Sequence, residues 1–295
     1  MLMTLEIDWL NIDRRTLFLL TADGRIEREN DPDHSPGPRF WLARCQEGNV
    51  FGIRADFPDD GAAELEAIAT TEATFMLSVT PPRHLDRYAA LVARACGVAR
   101  RTFGLIYELP HSPRYQSHAQ LIGSDSEEGQ RFGQSLSERG MPRGVSELGF
   151  RSVADLWPPW CAAVVDGEIA SIAFAARLSD VGAELGVVTV RAFRGRGLAA
   201  AATAGWSSLP SLQSRVLFYT TDQGNISSQR AAKRLGLQLR GARADFVGAL
   251  CNMVGTFTVA SSAACRLAPT ADNGGAQGGA YPTPRCWPSP SPARR

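Results

Sequence analysis

The sequence predicts an α/β protein built as two units, and three observations predict it. Short runs of β-branched and aromatic residues alternate with stretches whose apolar residues recur at helical spacing. One strand runs through a glycine-bearing basic turn directly into an alanine-rich helix at "VVTVRAFRGRGLAAAATAGW", Val187 to Trp206. A stretch with two prolines and two histidines, "LPHSPRYQSH" from Leu109 to His118, separates the two halves as a linker. With 295 residues and 44% hydrophobic composition, the chain can bury more than one small core.

In the first half, "RFWLARC" and "NVFGIRAD" read as strands joined at the turn signal "QEG", a hairpin. "DDGAAELEAIAT" opens on acidic residues and carries Leu65 and Ile68 three apart, which predicts a helix. "PPRHLDRYAALVARACG" repeats Leu85, Tyr88, Leu91, Val92, Ala95 and Cys96 at helical spacing before Gly97 and predicts another. "TFGLIYEL" then reads as a buried strand, so residues 1–115 are expected to form an α/β unit of their own.

The second unit, residues 119–260, opens on "SDSEEGQRFGQSLSERG", where Ser124 stands three before Glu127 as in a capping box and Gly140 is a stop. "RSVADLWPPW" is a short helix broken at Pro158 and Pro159. "CAAVVDGEIASIAFAARL" is two strands turned at Asp166-Gly167. "AELGVVTV" adds a strand, "GLAAAATAGWSSL" a helix, "SRVLFYTT" a strand and "NISSQRAAKRLG" a helix. Residues 261–295 are rich in Pro, Gly, Ala and Ser and read as a disordered tail.

A formal net charge of +1 argues against a general polyanion binder, so no nucleic-acid partner is expected and any anion site must be local. The six cysteines are scattered, without C-x-x-C or a nearby histidine, which predicts neither a metal site nor a disulfide framework and fits a reducing cytoplasm. Glu6 and Asp8 stand where a secretory peptide needs a basic then apolar run. The least charged stretch, "VGALCNMVGTFTVASSAAC", is too mixed with small polar residues for a membrane span, so no membrane partner is expected.

The chemistry gathers at Val187–Trp206. Gly195 and Gly197 carry no Cβ, so the backbone N–H groups of Gly195, Arg196, Gly197, Leu198, Ala199 and Ala200 can converge at a helix start, an anion cradle. Arg191, Arg194 and Arg196 can neutralise further charge, as a pyrophosphate requires. A dinucleotide fingerprint fits poorly, because Leu198, Ala199 and Ala200 follow the second glycine, and a triphosphate loop fails for want of a lysine.

"RGRGLA", Arg194 to Ala199, resembles the R/Q-x-x-G-x-G/A signature of the GNAT superfamily of N-acyltransferases. "NISSQRAAKRLGL", Asn225 to Leu237, is similar to the family's next motif, an Asn-opened helix closing in a Leu-Gly corner. The resemblance covers about residues 120–245; residues 1–115 resemble only loosely the extra N-terminal half of some two-domain members, as a degenerate copy would. It implies a mixed sheet flanked by helices and splayed open between "ELGVVTV" and "SRVLFYTT", with acetyl-CoA in the gap as co-substrate and no metal. It further implies that pantetheine pairs with the backbone of Val188, Thr189 and Val190, that the pyrophosphate sits on Gly195–Ala200, and that an acceptor amine attacks the thioester directly. The acceptor would be a small metabolite, an antibiotic amine, an amino acid or a protein amine.

All four histidines precede the second unit, so a histidine-based nucleophile within it is excluded. Glu184 stands where family members place a carboxylate base, and the alternative reading is a solvated strand-end carboxylate. The family's acid, a Tyr seven after the Asn, is replaced by Ala232; Tyr219 and Ser228 are the substitutes on hand. Asn225 is a cofactor contact, a helix N-cap, or both. Arg230, Lys233 and Arg234 read as a solvated helix face or a clamp on the adenosine phosphate, and Trp157 and Trp160 as core or as the wall of an acceptor entrance. The rival function is a non-catalytic acyl-CoA sensor or scaffold, with a nucleotide-binding oxidoreductase third.

Overall fold

The computed structural model describes residues 6–76, 80–97 and 99–248. The expected tail at 261–295 lies outside them, as does the low-charge stretch beyond Gly248. The described residues open with a helix that carries no clear sequence signal, α1 (Glu6–Leu17), then a small antiparallel pair, β1 (Phe18–Leu20) and β2 (Ile26–Glu29). The expected hairpin comes next as β3 (Phe40–Arg44) and β4 (Asn49–Ile53), and the two expected helices as α2 (Asp59–Thr70) and α3 (Leu85–Cys96). β5 (Ala99–Glu108) closes this half.

The second half starts with a strand, β6 (Gln120–Gly123), before α4 (Glu127–Arg139) and the short α5 (Arg143–Ser146). The cap of α4 is Ser126, whose hydroxyl accepts from Gly129 N–H, and not Ser124. Ser124 is engaged instead in fastening β6 to its neighbour, its hydroxyl accepting from the N–H of Trp160 at 3.0 Å. A single 3-10 turn, Val153–Leu156, precedes the prolines. β7 (Trp160–Val165) and β8 (Glu168–Leu178) join at Asp166-Gly167, where both φ values are positive as a two-residue hairpin requires. β9 (Gly182–Thr189), α6 (Leu198–Ser207), β10 (Val216–Asp222), α7 (Ile226–Arg234) and β11 (Gln238–Gly248) complete the described residues.

Nine strands form one sheet in the order β4-β3-β11-β5-β10-β9-β8-β7-β6, antiparallel except for β9 beside β10. The expected boundary at residues 115–119 falls in the connection between β5 and β6, and strands from both sides of it share this sheet. β5 lies between β10 and β11, so hydrogen bonding crosses the boundary along the length of a ten-residue strand. The linker is packed too: Leu109 N–H donates to Leu217 O, and the Tyr115 hydroxyl donates to Gly197 O.

Side-chain alternation divides the sheet into two covered faces. On one, α6 packs with Leu185, Leu217 and Tyr219, while α2 and α3 pack on Phe40, Leu42 and Phe246. On the other, α1 packs on Trp41, Ile106 and Phe218, and α4 and α5 on Phe174 and Val188. Alanines let α6 approach closely, and its Trp206, fully buried, donates its indole N–H to Pro159 O at 2.8 Å. No helix among the described residues is long and apolar enough to cross a membrane.

Candidate functional site

The site begins where two parallel strands part. β9 and β10 pair only at Gly182, Ala183 and Glu184, opposite Val216, Leu217 and Phe218. Beyond Glu184, β9 stays paired with β8 through Thr189, while β10 stays paired with β5 through Asp222. From Leu185 onward, β9 therefore has no strand on its β10 side among the described residues. Successive residues of an antiparallel strand send their backbone groups to opposite edges. Val190 N–H donates to Ala170 O and Val188 O accepts from the Ser171 hydroxyl, so both are turned toward β8. The open edge is offered by Leu185, Val187 and Thr189, which alters the expected pairing through Val188, Thr189 and Val190. Arg194 Nε reaches back to Thr189 O at 3.4 Å.

This edge leads into the glycine turn. A 3-10 turn at Arg191–Phe193 brings the chain to Gly195 and Gly197, with φ of +79° and +82°. Gly197 is the N-cap of α6, so the N–H groups of Leu198, Ala199 and Ala200 lie in its first turn, without acceptors inside the helix. A Cβ at Gly195 would meet nothing, so glycine answers to φ alone there; at Gly197 it would collide with the Tyr115 hydroxyl, and Arg234 stands 3.3 Å away. Arg191, Arg194, Arg196, Arg230, Lys233 and Arg234 are all exposed, and none forms an ion pair among the described residues. The Arg196 guanidinium lies over the Phe193 ring, 5.3 Å from its centroid.

Glu184 stands at the parting point but not in solvent. It is 4% exposed, on the α1 face, with Arg243 donating a hydrogen bond to it at 2.7 Å and the Arg177 guanidinium forming an ion pair with it at 3.7 Å. Burial pushes its carboxyl up, and the two guanidiniums outweigh burial and hold it below the ordinary value. A carboxylate so held is a weak proton acceptor. Arg177 is also paired with Glu29, and Arg243 with Asp245 at 3.6 Å, so Glu184 sits inside a chain of buried charges. Asp13 of α1 adjoins this chain and has no counterpart among the sequence-derived candidates; it is fully buried, and neither carboxyl oxygen has a hydrogen-bond partner.

The hydroxyls named from sequence do meet. Tyr219, 1% exposed and the first β10 residue past the parting point, donates to Ser228 O at 3.0 Å and lies 2.7 Å from the Ser228 hydroxyl. Burial pushes the Tyr219 phenol up to about 12. Asn225 caps α7, its side-chain oxygen accepting from Ser228 N–H. Ala232 is fully buried against the core beneath Tyr219. Trp157 and Trp160 are buried at 6% and 5% among Phe150, Phe174 and Val188, as core residues. Among the described residues no three His, Cys, Asp or Glu side chains are grouped to hold a metal ion.

Geometry thus defines the class first: an α/β protein whose mixed sheet opens at a parallel strand pair and leads to a glycine turn at a helix start. Structural comparison finds a GNAT-family protein from Novosphingobium aromaticivorans, with 20% identity over 50% of this chain and 65% of that one and a TM-score of 0.34. It also finds a GNAT-family acetyltransferase from Colwellia psychrerythraea, with 14% identity over 70% and 80% and a TM-score of 0.36. A GCN5-related N-acetyltransferase from Kribbella flavida matches with 18% identity over 55% and 63% and a TM-score of 0.36. The chain thus spans just under two thirds of the first and third of these proteins. No family model matches the sequence, and no curated protein matches it.

Proposed function

We propose that the chain binds acetyl-CoA in the opening between β9 and β10 and transfers the acetyl group to a primary amine. The observation that carries the reading is the unpaired β9 edge at Leu185, Val187 and Thr189, which runs without interruption into the Gly195–Gly197 turn. An amide-bearing pantetheine arm suits such an edge as an added strand would, and a pyrophosphate suits a helix start flanked by Arg191, Arg194 and Arg196 of the turn and by Arg234, none of them ion-paired among the described residues. The amine nitrogen bonds to the thioester carbonyl carbon, the C–S bond breaks, the nitrogen gives up one proton to solvent water, and the thiolate takes one up. Tyr219, the first β10 residue past the parting point, hydrogen-bonded to Ser228 and kept protonated by burial, is the hydroxyl this reading assigns to protonate the thiolate.

A second reading has its own support: Glu184 is held by two arginines and Ala232 replaces the usual Tyr, which suits an acyl-CoA-binding module without turnover. Thermal unfolding with acetyl-CoA, CoA and NAD tests the shared part. A ligand at about 100 times its dissociation constant adds roughly 2.7 kcal/mol. Acetyl-CoA is expected to stabilise the protein and NAD is not, and Arg196→Glu with Arg234→Glu, both at exposed positions, should remove the effect without altering the fold. No response to acetyl-CoA would end both readings. Given binding, thiol release in the presence of amino acids, polyamines and peptides separates transferase from sensor.

A further inference from the structure

α1 is an apolar stripe with a carboxyl at its centre. Its buried positions are Trp9, Leu10, Asp13, Thr16 and Leu17, the spacing of one helix face, and Asp13 occupies the place where another aliphatic residue would complete the stripe. Trp9 packs on Phe218 with centroids 4.8 Å apart and the rings tilted by 45°, and the Thr16 hydroxyl lies so close over Gly182 that no side chain fits there. α1 is thereby pressed onto the first residues of β9, where β9 and β10 still pair. A buried carboxyl without hydrogen bonds costs stability, more so when charged.

We propose that α1 is a pH-sensitive clasp on the base of the β9–β10 opening, shut while Asp13 carries its proton and loosened when Asp13 ionises. The groups facing Asp13 are Arg243 and Asp245 on β11 and Glu184 on β9, with Arg177 of β8 and Glu29 of β2 continuing the chain through Glu184. β1 and β4, also packed against α1, carry no titratable side chain, and the residues that β3, β5 and β10 pack against it, Trp41, Ala43, Ile106 and Phe218, carry no charge. Two of the three direct neighbours are anionic, and Glu184 already takes up the charge of Arg243 at 2.7 Å. Burial foremost, opposed by Arg243 and reinforced by Glu184 and Asp245, pushes the Asp13 carboxyl up to about 8. Once α1 lifts, the carboxyl returns to water and to its ordinary value, so the undocked form gains population as pH rises.

Hydrogen exchange of the full chain between pH 5.5 and 8.5, read on residues 6–17 and corrected for intrinsic exchange chemistry, tests this. Opening of α1 is expected to increase by as much as roughly tenfold per pH unit below about pH 8 and to level off above it. Asp13→Asn, neutral at every pH, should flatten that dependence. Trp9→Ala should raise opening at every pH and keep the slope, since it weakens docking without touching the titrating group. A wild-type profile without slope, or the wild-type slope persisting in Asp13→Asn, overturns the clasp. No acyl donor enters the measurement, so its outcome is independent of the proposed activity.

Discussion

At the residue scale, two carboxylates of one buried cluster are driven in opposite directions. Asp13 has burial and no hydrogen bond, and its folded value is raised; Glu184 has burial and two guanidiniums, and its value is lowered. The stability that protonated Asp13 brings is fully present below about pH 4, where the unfolded carboxyl is also protonated, and it is lost as pH rises through about 8. Asp13→Asn should therefore raise the melting temperature near pH 8 more than near pH 5, which parallel melts across that range would show. Glu184→Gln leaves Arg243 and Arg177 without their shared charge and should cost about 3–5 kcal/mol in denaturant unfolding. A loss within about 1 kcal/mol would show that the pairs contribute little. The same variant checks the base role expected from sequence: turnover falling far more than acetyl-CoA affinity would restore it, and equal turnover per folded protein, which the two guanidiniums favour, would remove Glu184 from the mechanism. Glu184 is legible in the sequence as a strand-start carboxylate; its two arginines are not, because they arrive from β8 and β11, 7 and 59 residues away.

At the element scale, the glycine turn and α6 are held by parts distant in sequence. Tyr115 from the linker bonds Gly197 O, and Trp206 ties α6 to Pro159 across its indole N–H. Trp206→Ala should cost about 3–5 kcal/mol in chemical denaturation, by cavity formation and loss of that bond. The strands and helices from β7 to α7 are legible because each carries its own local signal: Asp166-Gly167 for the hairpin, β-branched runs for β9 and β10, Asn225 for the α7 cap. α1 is not, because Asp13 interrupts its apolar stripe, and β6 is not, because four residues beside a strong helix signal show no alternation. The cap of α4 lies two residues beyond the expected Ser124, since both Ser124 and Ser126 precede acidic residues and only the β6–β7 contact claims Ser124.

At the scale of the whole molecule, the nine-stranded sheet makes the two halves depend on each other. β5 separates β10 from β11 by pairing with both, so a fragment of residues 119–260 would present two unpaired edges where one strand should be. Expressed alone, that fragment is expected to aggregate or to show no cooperative melt, and co-expression with residues 1–115 should restore one. A cooperative melt of the isolated fragment, close to that of the full chain, would instead favour two independent units. Bonding across the linker explains why composition marks a boundary there while the sheet does not: proline and histidine set local chain direction, and pairing is decided by partners over a hundred residues apart.

What the sequence determined by itself was local: which runs are extended, which are helical, and that a β-branched strand enters a two-glycine basic turn before a helix. These properties arise from side-chain shape, backbone freedom at Gly195 and Gly197, and periodicity, all of which act within a few residues. The tertiary structure alone decided which edge of β9 is open, that Glu184 is ion-paired, that Asp13 is buried beside it, and that β5 joins both halves in one sheet. Each of those is a matter of long-range pairing or of exclusion from water, which no window of neighbouring residues contains.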